Sequence, residues 1–396
     1  MKKRMITALI LSVLVSAALI SCSNAKKGAD AAKEAESFKL VDALDREITI
    51  QGPVERVYYG FYYENLLAIV GPEAFTKVVA TSLHDTEGYF LTLSRLYREY
   101  VEGYNDMIDI GSTFHDDFNI EKLLELDLDA VILGAYQYTD LVNRIPVLEN
   151  AGIPVVVIDY TLGTMEMQCK STEILGKLFG VEDRARRIIN QYAAAYEDIA
   201  RRTAAIGVNN RYSVKKKTFG EFHSTITSYN EIGTSAGSGS FLSMYMEKAG
   251  GENIMIKFME QSDQLRIDPE YLLEADPDAI FFIGGESTNK NKDGVVTGHQ
   301  VNREQTLASA GNIIPSRPGW DTLKAVQENQ IFVIENGICR TMADYTIVQF
   351  MGKSMYPELF EDVDPLENLK AYYAEYLPSL PLEGIFFYNL SSTDID

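Results

Sequence analysis

Cysteine, tryptophan and histidine are scarce in this chain, at three, one and four of 396 residues. Basic residues are also in short supply: 36 Lys and Arg face 57 Asp and Glu, for a formal charge of -21. So acidic a surface repels phosphate backbones, which excludes nucleic acid as a partner and gives no support to an amphipathic membrane-surface role. No HExxH, GxSxG, CxxC or GxxxxGK[ST] motif occurs, and the carboxylates are spread along helix faces rather than paired. No catalytic residue and no cofactor are therefore expected. Nor does any apolar run reach the roughly 20 residues that a comfortable membrane span needs.

The apolar run that comes nearest, Met5 to Ile20, follows Lys2, Lys3 and Arg4 in the layout of a bacterial export signal. It closes on Leu19-Ile20-Ser21-Cys22, which resembles the lipobox of bacterial lipoproteins, where the cysteine is acylated and becomes the new N-terminus. The resemblance implies a signal peptide over residues 1–21, a lipid on Cys22 and a bilayer contact through that anchor alone. The SNAKKGADAAKEAES tract that follows offers no core-forming side chain, so residues 22–37 should be a flexible tether. Loss of the three leader cations moves the balance to 33 basic against 57 acidic groups, or about -24. Cys169 and Cys339 then remain, far apart in sequence. They read as buried thiols, with an interlobe disulfide as the other reading.

With 46% apolar residues, the mature chain can bury a sizeable core and should divide in two. An internal echo marks the halves. EKLLELDLDAVILG at Glu121 to Gly134 matches EYLLEADPDAIFFI at Glu270 to Ile283, and seven of the first ten positions are identical. Each reads as a helix, an acidic turn and a buried strand, preceded by helix-start signals at Asn119-Ile120 and Asp268-Pro269. Strands are expected near Arg56 to Tyr59, Val78 to Ser82, Ala130 to Gly134 and Pro154 to Asp159, with helices at Glu64 to Val70 and Thr139 to Ala151. The second half repeats the plan with strands near Val214 to Phe222, Ala279 to Gly284 and Ile331 to Glu335. Asp183 to Ile206 has no proline and apolar residues at helical spacing; it predicts one helix of about 35 Å. The expected organisation is α/β: two Rossmann-like lobes with mostly parallel sheets, over 38–182 and 207–396, bridged by a single long helix over 183–206.

Six segments in order carry a family resemblance. FKLVDALDREITIQG at Phe38 to Gly52 with Pro53 to Val57, Ile110-Gly111-Ser112 leading to Asn119-Ile120-Glu121, AGIPVVVID at Ala151 to Asp159, ILGKLFGVEDRA at Ile174 to Ala185, AGGENI at Ala249 to Ile254 and MYPELFED at Met355 to Asp362 resemble the ABC-importer binding proteins for iron-siderophores, haem and cobalamin. The resemblance implies two lobes on one rigid helix and an iron complex or cobalamin-like ligand in the cleft. It also implies an ABC permease and ATPase as partners, and an extracytoplasmic, membrane-anchored location. Two departures stand out. Asp45 occupies a hairpin position where the family carries glycine, and asparagine and aspartate tolerate left-handed geometry next best. Segments 85–106 and 288–318 are longer than usual and could reshape the cleft mouth.

In open parallel sheets the ligand meets loops at the carboxyl ends of strands. Those loops are rich in aromatics, which suit a large aromatic or chelate ligand, and they place Tyr59, Tyr62, Tyr63, Tyr136, Tyr138 and Tyr345 as candidates. His84, His115 and His223 are candidate iron or haem ligands, as are the phenolates of Tyr62 and Tyr138. Which metal, if any, is bound directly stays open. Arg340 is the candidate clamp for a carboxylate, catecholate or hydroxamate oxygen. The glycine-rich stretch Thr234 to Ser240 reads as a loop capped by Ser240 rather than a phosphate cradle. Because the family presents one acidic residue per lobe to its permease, Asp140 and Glu304 are the docking candidates, with Glu286 as substitute. Two other readings stand beside capture of a chelate: a free metal-ion binder with His and carboxylate ligands, and a secreted two-domain iron-dependent enzyme.

Overall fold

Two antiparallel strands, β1 (Ser37–Val41) and β2 (Glu47–Gln51), open the computed structural model. It describes residues 37–390 apart from positions 89, 114, 116, 163, 209–211, 224–227, 234–239, 262–266 and 286–292. The signal, the tether up to residue 36, Cys22, Glu286 and most of the glycine-rich stretch lie outside the described residues; Ser37, expected to end the tether, begins β1. Asp45 turns the hairpin at φ 60°, the left-handed geometry expected of it. Asp42 is fully buried; its carboxylate accepts from Leu44 N at 2.9 Å, from Arg46 Nη2 at 2.6 Å and from Val157 N at 3.2 Å.

The first sheet contains β3 (Val57–Tyr59), β4 (Val78–Thr81), β5 (Ile108–Asp109), β6 (Ala130–Gly134) and β7 (Val155–Ile158). Its order is β5-β4-β3-β6-β7, and every pairing is parallel. The hairpin covers β7, the edge strand: Ala43 N donates to Val157 O at 2.9 Å and Arg46 Nη2 to Val155 O at 2.9 Å. Backbone groups that would invite strand pairing are thereby satisfied.

The second sheet combines β8 (Lys217–Phe222), β9 (Glu252–Asn253), β10 (Ala279–Gly284), β12 (Ile331–Glu335) and β14 (Phe387–Asn389), in the order β14-β12-β10-β8-β9. Only β14 runs antiparallel. A small ribbon pairs β11 (Gly298–His299) with β13 (Gly384–Ile385). The AVILG and AIFFIG strands are buried throughout, as continuous apolar strands inside parallel sheets must be.

The sequence echo has a structural cause. Asn119 caps the helix Ile120–Leu124 and Asp268 caps Pro269–Ala275, each through its side chain. Asp127 and Asp276 then take the left-handed turn at φ 51° and 45°. Two residues on, the Asp129 carboxylate accepts from Arg56 N at 2.8 Å, and Asp278 accepts from Lys217 N at 2.8 Å. Each aspartate thus closes the start of the neighbouring strand region, so both lobes need the same DxD turn.

The helix Glu182–Thr203 carries Ala185, Ile188, Tyr192, Tyr196 and Ile199 on its buried stripe. It packs on Met165–Leu178 and Tyr63–Val70 of the first half and on Phe241–Lys248 and Tyr345–Met355 of the second. Arg184 donates to Ala68 O at 2.7 Å near one end, and Arg202 to Leu359 O at 2.9 Å near the other.

One expectation needs correction. Thr139 to Ala151 is not one helix but two, Ala135–Asp140 and Ile145–Asn150, because Pro146 is stable only in a first helical turn. The long 85–106 segment contains the helix Leu91–Tyr100, whose Leu93, Leu96 and Tyr97 are buried. Cys169 and Cys339 are free thiols, and Cys339 is buried. Ser240 accepts from Ser243 N at 3.1 Å as the expected cap.

Candidate functional site

One wall of the site is set at the ends of the first sheet. β3 runs into Gly60, where a Cβ would collide with the Gln137 carboxamide. Gln137 is fully buried; its Oε1 accepts from Gly134 N at 3.0 Å, and its Nε2 donates to Gly60 O at 3.3 Å and Thr113 Oγ1 at 3.2 Å. One side chain therefore ties three loops together, and the rigidity orients the aromatics that those loops carry. Tyr62 sits at φ 62°, a conformation that a bulky residue holds only when its surroundings impose it. Its hydroxyl bonds to Thr161 Oγ1 at 2.6 Å and lies 3.5 Å from Asp159 Oδ1. Burial raises both the Tyr62 phenol and the Asp159 carboxyl above their ordinary pKa values.

The opposing wall follows β12, where a short turn leads to Arg340 at φ 66°. Arg340 N donates to the Tyr245 hydroxyl at 3.0 Å, while its carbonyl accepts from Asn65 Nδ2 at 2.9 Å. Asn65 Oδ1 also accepts from Met342 N at 3.0 Å. Since Asn65 belongs to the helix Tyr63–Val70, a side chain of the first lobe clamps the second lobe's backbone at Arg340. Tyr245 in turn donates to Asp344 Oδ2 at 2.8 Å, which also accepts from Gln168 Nε2 at 2.9 Å; Tyr196 donates to Asp344 Oδ1 at 3.0 Å. Both lobes and the long helix thus meet on one buried carboxyl. Burial pushes Asp344 up to about 6, with Gln168 and the tyrosine hydroxyls acting in the opposite sense.

The Arg340 guanidinium lies over the Phe241 ring at 4.8 Å and the Phe90 ring at 5.8 Å, and donates to Asn336 Oδ1 at 3.1 Å. Among the described residues no carboxylate forms an ion pair with it. A permanent cation thus faces a largely apolar cleft of about 300 Å³, between Phe61, Phe90, Tyr136, Asp140 and Thr161 on one side and Phe222 and Asn336 on the other. Phe61 packs edge-on to Tyr136 at 5.8 Å. Behind the cleft is a chamber of about 40 Å³ that shares Phe61, Phe90 and Arg340 with it.

The sequence candidates are distributed unevenly around this site. Tyr136 and Arg340 line the cleft; Tyr62 and Tyr63 line the inner chamber. Tyr59 is wholly buried in the core, with its hydroxyl on Tyr62 O at 3.2 Å. Tyr138 lies under Arg46, 4.4 Å from ring to guanidinium carbon, beside the opening hairpin. Tyr345 faces the long helix, where its hydroxyl accepts from Gln191 Nε2 at 3.3 Å. His223 is buried and its Nδ1 accepts from Val295 N at 3.2 Å, so it lies inside the second lobe. His84 and His115 pair with ring centroids 5.3 Å apart and do not line the cleft. Asp140, expected to begin a helix on an outer face, ends one and lines the cleft instead. Glu304 is exposed on the helix Arg303–Ala310. Sequence reasoning missed Phe90, Asn65 and Glu64. The first sits in the long 85–106 segment, and the other two read as ordinary positions of an amphipathic helix.

Two parallel-sheet lobes, a long helix packed on both and a cleft at the carboxyl ends of the strands define a solute-capturing protein. The chain belongs to the periplasmic binding protein family, whose profile matches residues 94–336. That family works outside the cytoplasm, and among the described residues no helix is long and apolar enough to cross a membrane. The chain is similar to the uncharacterized ABC transporter substrate-binding lipoprotein YvrC of Bacillus subtilis, at 21% identity, over 88% of this chain and 96% of that one. It is similar to the molybdate-binding protein MolA of Haemophilus influenzae, also at 21%, over 85% and 90% of the two chains. In fold it is similar to the TroA-like periplasmic binding protein FepB of Veillonella parvula, with a TM-score of 0.77 and 23% identity over 89% of this chain and 99% of that one.

Proposed function

We propose that this protein captures a compact anionic metal chelate, of the ferric siderophore kind, and delivers it to the permease and ATPase of an ABC importer. The observation that carries the reading is Arg340, a guanidinium without a carboxylate partner among the described residues, held by both lobes over an aromatic cleft. A chelate supplies the missing negative charge and presents organic faces to Phe61, Phe90 and Tyr136. A bare oxyanion such as molybdate instead calls for a cage of N–H and O–H donors, which the apolar cleft walls do not supply. Arg340→Ala should weaken binding of a ferric tricatecholate, whose net charge is about -3, by roughly 10- to 150-fold, the equivalent of about 1.5–3 kcal/mol. Equilibrium dialysis with the radiolabelled chelate measures it, and unchanged affinity assigns Arg340 a structural role. Failure of the wild type to bind that chelate rejects the ligand class.

The same reading includes a lipid on Cys22, residues 38–182 and 207–396 as the lobes, and docking of the loaded protein to its permease. Cys22→Ala should abolish labelling by a fatty-acid analogue and release the protein from the membrane fraction; retention of both would reject the anchor. For docking we keep Asp140 and Glu304. Rim charges govern encounter and register more than ligand affinity, so Glu304→Lys should depress uptake while leaving chelate binding to the isolated protein intact. Uptake equal to wild type removes Glu304 from the interface. Asp140 is a less clean probe, because its place on the cleft wall puts it near the ligand's charge.

A further inference from the structure

Glu64 is the buried polar group that capture of an anion leaves unexplained. Its side chain is 5% exposed; the Tyr373 hydroxyl faces its carboxyl, yet neither carboxyl oxygen has a partner at full hydrogen-bond geometry among the described residues. An orphaned buried carboxyl is costly, so it points to a missing partner. The Tyr97 hydroxyl, also buried, is likewise unpartnered. Both residues line the chamber of about 40 Å³ behind the cleft, together with the rings of Phe61, Tyr63 and Phe90. That volume accommodates a group of one or two heavy atoms, since a single water needs roughly 10–15 Å³ by the same measure. A carboxyl among aromatic faces is the chemistry that recognises ammonium groups, because the ring quadrupole and the carboxylate attract the same positive charge.

We propose that the inner chamber binds a protonated primary amine, the cationic arm of the captured ligand, between the Glu64 carboxylate and the surrounding aromatic rings. This rests on the capture reading only in assigning the amine to the cleft ligand; the chamber itself is tested without it. The ligand would then be dipolar, with its anionic part at Arg340 and its amine one layer deeper. Phe61, Phe90 and Arg340 line both spaces, so a single molecule reaches from one into the other.

The bookkeeping of protons follows from the neighbours. Burial pushes Glu64 up to about 8, the Tyr373 hydroxyl acting in the opposite sense and Glu335 adding to the rise. Burial also raises the Tyr63, Tyr97 and Tyr373 phenols and the Cys339 thiol, which stay neutral. The Arg340 guanidinium also lines the chamber and repels an ammonium there, so the nearby Glu64 carboxylate has to outweigh it. Glu335, pushed up to about 7 by burial, titrates in the same range but is bonded to Gly337 N at 2.9 Å and Thr297 Oγ1 at 2.9 Å. Entry of an ammonium group at neutral pH therefore displaces the Glu64 proton to solvent. Affinity should rise about tenfold per pH unit until Glu64 ionises unaided, near 8.

The test is thermal unfolding of the mature protein in sodium, methylammonium or tetramethylammonium chloride at equal ionic strength. Methylammonium should raise the wild-type midpoint by about 3–5 °C over sodium at a hundredfold excess over its Kd. Tetramethylammonium, too large for the chamber, should not. Glu64→Gln should abolish the rise, and Glu335→Gln should keep it. Coincident midpoints in all three salts, an equal rise with tetramethylammonium, or a rise that survives Glu64→Gln overturns the site. Should Glu64→Gln fail to fold by circular dichroism, Tyr97→Leu takes its place with the same expectation. For the ligand arm, a ferric tricatecholate with a free amine should bind the wild type at least tenfold more tightly than its N-acetyl form. Glu64→Gln should erase that preference and Arg340→Ala should keep it; equal wild-type affinities overturn the arm. If neither chelate binds, the capture reading fails while the methylammonium result still decides the chamber.

Discussion

Arg317→Ala should destabilise the protein by about 3–5 kcal/mol, the cost of leaving a buried charge without its partner. Arg317 Nη1 and Nη2 each donate to a Glu221 oxygen at 2.6 Å, and both residues are almost wholly buried. The same guanidinium donates to Tyr229 O at 2.8 Å and Glu231 O at 2.6 Å, and stacks 4.4 Å from the Trp320 ring. Burial alone would raise the Glu221 pKa, but His223 and Arg317 hold it below its usual value. The pair therefore pins the 229–233 segment against β8, directly behind Phe222 in the cleft wall. Replacing both partners with methionine should cost far less than the single change, because no charge is stranded. Urea unfolding of the single and double variants measures this, and equal losses would show that packing rather than charge is at stake.

Stability should fall as pH rises from about 4.5 to about 8, and Glu64→Gln should remove much of that fall. The native state holds the Glu64 proton up to about 8, whereas the unfolded chain releases it near the ordinary glutamate value of 4.5. A carboxyl whose folded pKa is raised contributes fully below its unfolded value and loses that contribution as pH climbs towards its folded value. At pH 7 the loss from Glu64 is on the order of 3 kcal/mol. Glu335, pushed up to about 7, and Asp344, pushed up to about 6, act in the same direction because burial dominates in each. Glu64→Gln should accordingly be more stable than wild type at pH 7 by roughly 3 kcal/mol, and about equal to it near pH 4. Chemical denaturation at a series of pH values reads both quantities. Parallel curves for the two proteins would place the Glu64 proton loss outside folding. The direction is opposite to ordinary acid denaturation, in which paired carboxylates lose their partners as pH falls.

Local signals were legible wherever a residue's neighbours in sequence decide its structure. The AVILG and AIFFIG strands, the Asn119 and Asp268 caps and the left-handed turn at Asp45 were readable because each depends on a few adjacent residues. The DxD echo was visible as repetition, yet its reason is not local. Asp129 and Asp278 close the backbone of strand regions more than sixty positions earlier, through Arg56 N and Lys217 N. Reading Thr139 to Ala151 as one helix gave apolar spacing more weight than Pro146, and the proline prevailed because an interior position would have cost a hydrogen bond and a clash.

The sequence by itself determined the parallel-sheet halves, the long helix between them and an arginine at the end of a second-lobe strand, since periodicity, capping and turn chemistry act over a few residues. Only the tertiary structure decided which aromatics line the cleft. Tyr59 and Tyr136 carry the same side chain, yet Tyr59, the last residue of β3, is core, while Tyr136, two residues beyond β6 in the helix Ala135–Asp140, lines the cleft, because the chain has left the sheet there. The same holds for Asn65 and Glu64, neighbours on one buried helix. Asn65 clamps Arg340 across the lobes and Glu64 meets the inner chamber, for their partners lie on elements more than 270 positions away or in space enclosed by several helices at once.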